Sequence, residues 1–140
     1  MTRFLLDTNV ISEQRKGDRA NPGVRSWFDN ERDSEIWISV LVVGELQRGV
    51  ELIARRDAQA SVSLGAWLDK IVDDYADRIL DVDLAVASAW ASLGVPDPIP
   101  VVDGLHAATA LHHDLTLVTR NQADVASTGV RVLNPFEVAQ

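Results

Sequence analysis

Three carboxylates mark the chemistry that this chain of 140 residues can carry. Asp7 ends the apolar run Phe4-Leu5-Leu6, Asp103 ends Val101-Val102, and Glu45 interrupts an apolar helical stretch that follows a second strand pattern. Carboxylates brought to one place repel one another, and a cation must offset that cost. The chain has no cysteine, and His106, His112 and His113 lack the spacing of a metal motif. Hard oxygen ligands therefore point to Mg²⁺ or Mn²⁺. Such ions polarise a phosphoryl oxygen and lower the pKa of a bound water, and a pair can hold attacking and leaving oxygens for in-line displacement. The chemistry to test is metal-assisted phosphoester cleavage.

Each residue alone also has a plainer role. Asp7 and Asp103 stand before helical patterns and would serve as N-caps. Glu45 would pair with Arg48, and Thr119, Asn121 and Asp124 are ordinary turn residues. His106 follows Asp103 by one helical turn and either packs or lines a cleft. His112 and His113 fall at a helix end, where cationic side chains suit the dipole.

The positioning elements follow from the pattern of apolar residues. Arg3 to Leu6 reads as a buried strand, and Thr8 to Lys16 as a short helix with Val10 and Ile11 inward. Asn21-Pro22 starts a second helix, with Asn as cap and Pro at the first position. Ile36 to Ser39 is a strand, and Val40–Arg56 and Ala58–Ala76 form an αα-hairpin. Arg78–Val82 is a third strand, and Asp83 caps a helix running to Leu93. Gly94–Pro100, with three prolines, is a loop. The run Val101-Val102-Asp103 repeats the apolar-to-acid ending of the first strand, and Gly104–His113 is helical. Leu115–Thr119 and Val130–Leu133 are the last strands, separated by a turn. Alternating strands and helices predict an α/β domain of residues 1–140 with a mainly parallel sheet of about five strands. Right-handed crossovers would then gather Asp7, Ser39, Thr119 and Asn121 at one sheet edge.

Composition narrows the class. Hydrophobic residues at 46% and charged residues at 24% are those of a folded globular chain. The net charge of −8 and pI of about 4.7 argue against a broad basic face for nucleic acid, though not against a small, metal-neutralised site. The strand pattern begins too early for a signal peptide, no apolar stretch approaches a membrane span, and cysteine is absent; these point to the cytoplasm and no membrane.

Four blocks carry a family resemblance: Leu5-Leu6-Asp7-Thr8-Asn9; Ser39 to Gly49 with Glu45-Leu46; Val102-Asp103 with Ala107-Ala108-Thr109-Ala110; and Leu117-Val118-Thr119-Arg120-Asn121 with Asp124. In this order, and over the whole chain, they resemble the PIN-domain family, in particular its VapC-type toxins, the ribonuclease halves of bacterial toxin–antitoxin pairs. The resemblance implies a three-layer α/β/α domain and an Mg²⁺- or Mn²⁺-dependent endoribonuclease that cuts RNA phosphodiesters with metal-activated water. It makes Asp7, Glu45 and Asp103 the catalytic, metal-binding acids, with Thr8, Asn9, Ser39 and Thr119 orienting them. Asn121 stands where relatives can carry Asp and brings no charge; Asp124 lies three residues on. The resemblance further implies a VapB-like antitoxin whose tail blocks the site, an RNA substrate of the tRNA or rRNA class, and a homodimer that becomes a hetero-oligomer with the antitoxin. Arg48 and Arg120, near the motifs, are the candidate phosphate contacts. Trp27, Trp37, Trp67 and Trp90 are read as core. The alternatives are a catalytically degenerate module of the same fold that binds RNA or protein, and a phosphohydrolase of small phosphoesters. An aspartyl phosphatase would need a supporting Lys, and none lies near the motifs.

Overall fold

Five short parallel strands form the centre of the molecule: β1 Phe4–Leu6, β2 Ile36–Ser39, β3 Ile79–Leu80, β4 Thr116–Val118 and β5 Val132–Leu133, in the order β3-β2-β1-β4-β5. The structure is a computed structural model and describes residues 2–137. Helices α1 Thr8–Gln14, α2 Pro22–Asn30, α3 Val40–Ala54, α4 Ala58–Asp74, α5 Leu84–Ala91, α6 Val101–His113 and α7 Gln122–Val125 cover the sheet.

The period-2 alternation of strand side chains divides the core in two. Phe4, Leu6, Ile36, Ile38 and Val118 face Val10, Ile11, Trp27, Val42, Leu46, Leu68 and Ile71 from α1 to α4. Leu5 and Leu117, with the partly buried Trp37, Leu80 and Val132, face Ala107 and Ala110 of α6 and Val125 of α7. The result is the expected α/β/α sandwich. β1 is paired on both sides and covered on both faces, which explains its unbroken apolar sequence.

Strand order sets where a site can form. The chain moves outward from β1 through β2 to β3, and then returns to the other side of β1 with β4 and β5. The order reverses between β1 and β4, and in open α/β sheets ligands bind beyond the carboxyl ends of the strands at such a point. Asp7, Ser39 and Thr119 stand at this edge.

Asp7, Asn21 and Asp83 cap helices as expected, Ser39 and Asp57 do so as well, and Asp103 lies inside the first turn of α6 and caps nothing. The side chains of Asp7, Asn21, Ser39, Asp57 and Asp83 each accept a backbone N–H at the start of the following helix. The edge strands are shorter than their apolar runs: Arg78–Val82 reduces to Ile79–Leu80, and Val130–Leu133 to Val132–Leu133. Each is paired on one side only, so the ladder ends as soon as the chain diverges from its neighbour.

One element differs in kind. Val101-Val102 is the first turn of α6 and not the end of a strand. The run is too short to pair, and Gly104 N–H donates to the Pro100 carbonyl at 2.9 Å, so the Ala-rich helix begins immediately after the proline loop. Val101 remains 59% exposed, which no buried strand would allow. Asp103 is therefore delivered by a helix, in its first turn.

Candidate metal centre

Asp7 continues the sheet for one residue beyond β1, its N–H donating to the Val118 carbonyl at 2.9 Å. The next peptide turns into α1, and the Asp7 side chain caps that helix at the point where the strand order reverses. Oδ1 accepts from the Thr8 backbone N–H at 2.7 Å; Oδ2 accepts from the Thr119 hydroxyl at 2.7 Å and from the Asn9 amide at 3.2 Å. Donors from β4 and α1 thus fix a buried carboxylate from two directions.

Glu45 reaches the same place from α3, whose start is held by Ser39 accepting the Leu41 N–H at 3.0 Å. Thr8 Oγ1 donates to Glu45 Oε1 at 2.7 Å, so one threonine ties both carboxylates together. The His106 imidazole, and after it the Thr8 hydroxyl, hold the Glu45 carboxyl below the usual carboxylate range, against the opposing effect of partial burial.

His106 completes the group. Its Nε2 lies 3.7 Å from Asp7 Oδ1 and 3.6 Å from Glu45 Oε1, beyond good hydrogen-bond length. Asp7, Glu45 and His106 each offer a ligand atom, and the three atoms lie within 4.8 Å of one another. The imidazole is 1% exposed, and neither of its nitrogens has a hydrogen-bond partner among the described residues. His106 has no metal-motif spacing, but it follows Asp103 by one helical turn, and the fold brings that side of α6 up to Asp7 and Glu45.

Asp103 stands at the rim, half-buried. Burial, followed by the like charges of Asp7, Asp124 and Glu45, pushes its carboxyl above the usual range, opposed by His106. It does not belong to the close group of three.

The remaining predicted residues divide. Thr8, Asn9 and Thr119 touch the carboxylates as expected. Ser39 does not; it caps α3 and places Glu45 through the helix. Asn121 is exposed, and its contribution is a backbone N–H donated to Thr119 Oγ1 at 3.0 Å. Asp124, also exposed on α7, is the residue whose charge reaches Asp103. Arg48 is exposed one turn after Glu45, and among the described residues it makes no ion pair, so the plainer Glu45–Arg48 pairing is absent. The Arg120 guanidinium lies 4.6 Å over the Phe136 ring, while the Arg120 backbone N–H donates to Asn9 Oδ1 at 3.2 Å. His112 and His113 lie in the last turn of α6, with their rings edge to face.

Two carboxylate oxygens beside a buried, unpartnered imidazole nitrogen form a donor set that suits a divalent cation. Comparison with known proteins agrees with this chemistry. The PIN domain family model matches residues 4–127. The chain is 34% identical to Toxin FitB of Neisseria gonorrhoeae, over 95% of this chain and 98% of that protein. It is 30% identical to VapC ribonuclease Y4jK of Sinorhizobium fredii, over 97% and 99%. Its fold superposes on the crystal structure of FitAcB from Neisseria gonorrhoeae with a TM-score of 0.87 at 34% identity, covering 96% of this chain and 99% of that one. The chain belongs to the PIN-domain family.

Proposed function

We propose that this chain is the toxin of a toxin–antitoxin pair, an endoribonuclease that hydrolyses RNA phosphodiesters with the help of Mg²⁺ or Mn²⁺. The observation that carries this reading is the convergence of Asp7 and Glu45, each oriented by its own hydrogen bonds, with Asp103 at the rim of the same site. It is supported by the names of the relatives, one a toxin and one a VapC ribonuclease.

Asp7, Glu45 and Asp103 hold the ion in this reading. When bound there, a divalent ion polarises a phosphoryl oxygen and lowers the pKa of water. The chain's own residues do the positioning. Thr119 and Asn9 fix Asp7 Oδ2, and Thr8 bridges Asp7 Oδ1 to Glu45 Oε1, so neither acid needs to reorganise when substrate arrives. Arg48 and Arg120 contact RNA phosphates flanking the scissile bond.

The partner is an antitoxin with a basic segment, which suits a chain of net charge −8 and an acidic site. No helix among the described residues is long and apolar enough to cross a membrane, and the site of action is the cytoplasm. The toxin itself acts as a homodimer.

The test is cleavage of total cellular RNA by the purified protein with Mg²⁺ or Mn²⁺ against EDTA, beside Asp7→Asn. Cuts at defined positions that need the ion and vanish in the variant are the expected result. Ion-independent or variant-independent cutting overturns it, and the absence of any cleavage favours a binding module on the same fold.

A further inference from the structure

We propose that His106 Nε2 joins Asp7, Glu45 and Asp103 as a further ligand of the ion, which makes the centre a mixed oxygen–nitrogen site that selects Mn²⁺ over Mg²⁺. The inference rests on the metal-dependent reading above and extends it to a residue that reading leaves idle.

A buried imidazole without a partner is an exception that calls for a cause. Neither carboxylate requires it as a donor, because Asp7 and Glu45 already receive N–H and O–H groups from Thr8, Asn9 and Thr119. At 3.6 and 3.7 Å the imidazole is near enough to pair electrostatically with both carboxylates but too far for a good hydrogen bond to either.

The same distances are close to those of a shared ion. Two adjacent ligands of an octahedral cation, each about 2.1 Å from it, stand about 3.0 Å apart. The separations from Nε2 to the two oxygens, 3.6 and 3.7 Å, are wider than this, so binding would draw the three side chains together by about 0.6 Å. Asp7 Oδ1 and Glu45 Oε1 each accept a hydrogen bond from Thr8 and retain a second lone pair for a metal.

Ligand chemistry then sets the preference. Mg²⁺ binds oxygen and gives up its waters reluctantly, whereas transition-series ions accept imidazole nitrogen. A buried nitrogen at this position therefore disfavours Mg²⁺ most, and of the two ions in the reading above Mn²⁺ is the one that accepts it.

The test uses the full chain stripped with EDTA and reloaded with Mn²⁺ or Mg²⁺ alone. Pulsed electron paramagnetic resonance of the Mn²⁺-loaded native protein should show one directly bound histidine nitrogen, and titration should give Mn²⁺ at least about tenfold tighter binding than Mg²⁺. His106→Leu and His106→Gln should lose the nitrogen signal and weaken Mn²⁺ binding about 10- to 100-fold, with Mg²⁺ binding changed much less. No nitrogen coupling in the native protein overturns the proposal without any variant having to fold. So does coupling that persists in a folded His106 variant, or an equal loss of both ions. Asp7→Asn separates the two readings. If it abolishes Mn²⁺ binding while the native spectrum lacks nitrogen, His106 is removed from the site and the carboxylate nuclease stands. If Asp7→Asn binds Mn²⁺ like the native protein, both readings fall.

Discussion

Thr119 Oγ1 donates to Asp7 Oδ2 at 2.7 Å, joining the ends of two neighbouring strands across 112 positions of sequence. The direction of this bond is fixed by its surroundings. The same hydroxyl oxygen accepts the Asn121 N–H at 3.0 Å and approaches the Asn9 amide at 3.4 Å, so its one proton goes to the carboxylate. Thr119→Val keeps the shape and removes that proton. RNA cleavage should fall about 10- to 100-fold, as for other groups that orient a metal ligand. Stability should fall by about 1–3 kcal/mol, because the Asn121 N–H and Asp7 each lose a partner. Thr119→Ser should restore most of the rate. Cleavage kinetics and urea unfolding of the two variants check this, and a native rate in Thr119→Val would show that other groups hold Asp7.

The Asp103 carboxyl gives a prediction with a definite sign. Its folded pKa is raised, so the folded protein holds this proton more tightly than the unfolded chain does. The stabilising contribution of that proton is complete below the ordinary Asp value of about 3.9 and is lost as pH rises through the raised value. Above that window the ionised group opposes folding, repelled by Asp7, Asp124 and Glu45. In EDTA at neutral pH, Asp103→Asn should therefore raise stability. Because the group is largely solvent-screened, the gain should be no more than about 0.5 kcal/mol. The same substitution should lower RNA cleavage, and added Mn²⁺ should stabilise the native protein more than the variant. Thermal melts with and without metal measure all of this; a variant less stable than native in EDTA at pH 7 would contradict the assigned repulsion.

Much of this centre was legible in the sequence, and the missing parts have physical causes. Phe4-Leu5-Leu6 ending in Asp7 announces a central parallel strand, because only a strand covered on both faces can be apolar at every position. Asn21-Pro22 and Asp83 announce helix starts by local chemistry that does not depend on tertiary context. Val101-Val102 misled, because two β-branched residues do not make a strand when nothing is available to pair with them and a helix can start at the preceding proline. Ser39 was placed beside the carboxylates by its position at the sheet edge; its hydroxyl is instead taken by the Leu41 N–H. For His106 the sequence leaves packing and cleft lining both open, and only the arrival of β1 and α3 beside α6 turns it toward two acids.

Tyr75 offers a readout away from the centre. It is the single tyrosine of the chain and is buried against Ile71 and the core. Burial pushes its hydroxyl up to about 12, while the Arg78 guanidinium, 4.8 Å over the ring, opposes the shift. A raised pKa means stability that is complete below the unfolded tyrosine value of about 10 and is lost as pH rises through the folded one. Phenolate absorbance should therefore titrate near 12 in the folded protein and near 10 in urea. Stability should decline over the same interval, by roughly 1–3 kcal/mol. A folded-state titration near 10 would mean that Tyr75 is solvated.

Two glycines in helices should respond to the same substitution with opposite signs. Gly44, in α3 beside Glu45, has nothing within 4 Å of where a Cβ would stand. Gly44→Ala should stabilise by about 0.5–1 kcal/mol, since alanine gives up less backbone freedom in a helix. Gly104, in α6 beside Asp103, lies where α5 and α6 meet. A Cβ there would sit 3.0 Å from Trp90 Cδ1 and Nε1 and 3.1 Å from Ile99 Cδ1. The same helix gain is then opposed by overpacking of about 1–3 kcal/mol, because an indole is a rigid neighbour that must move as a whole. Gly104→Ala should destabilise by about 1 kcal/mol net. It should also slow RNA cleavage, because the displacement of α6 carries Asp103 and His106 with it. Urea unfolding of both variants, followed by Trp fluorescence, gives the two signs directly. Stabilisation by Gly104→Ala would show that α5 yields freely, and that the close approach of the two helices does not fix the position of the acid.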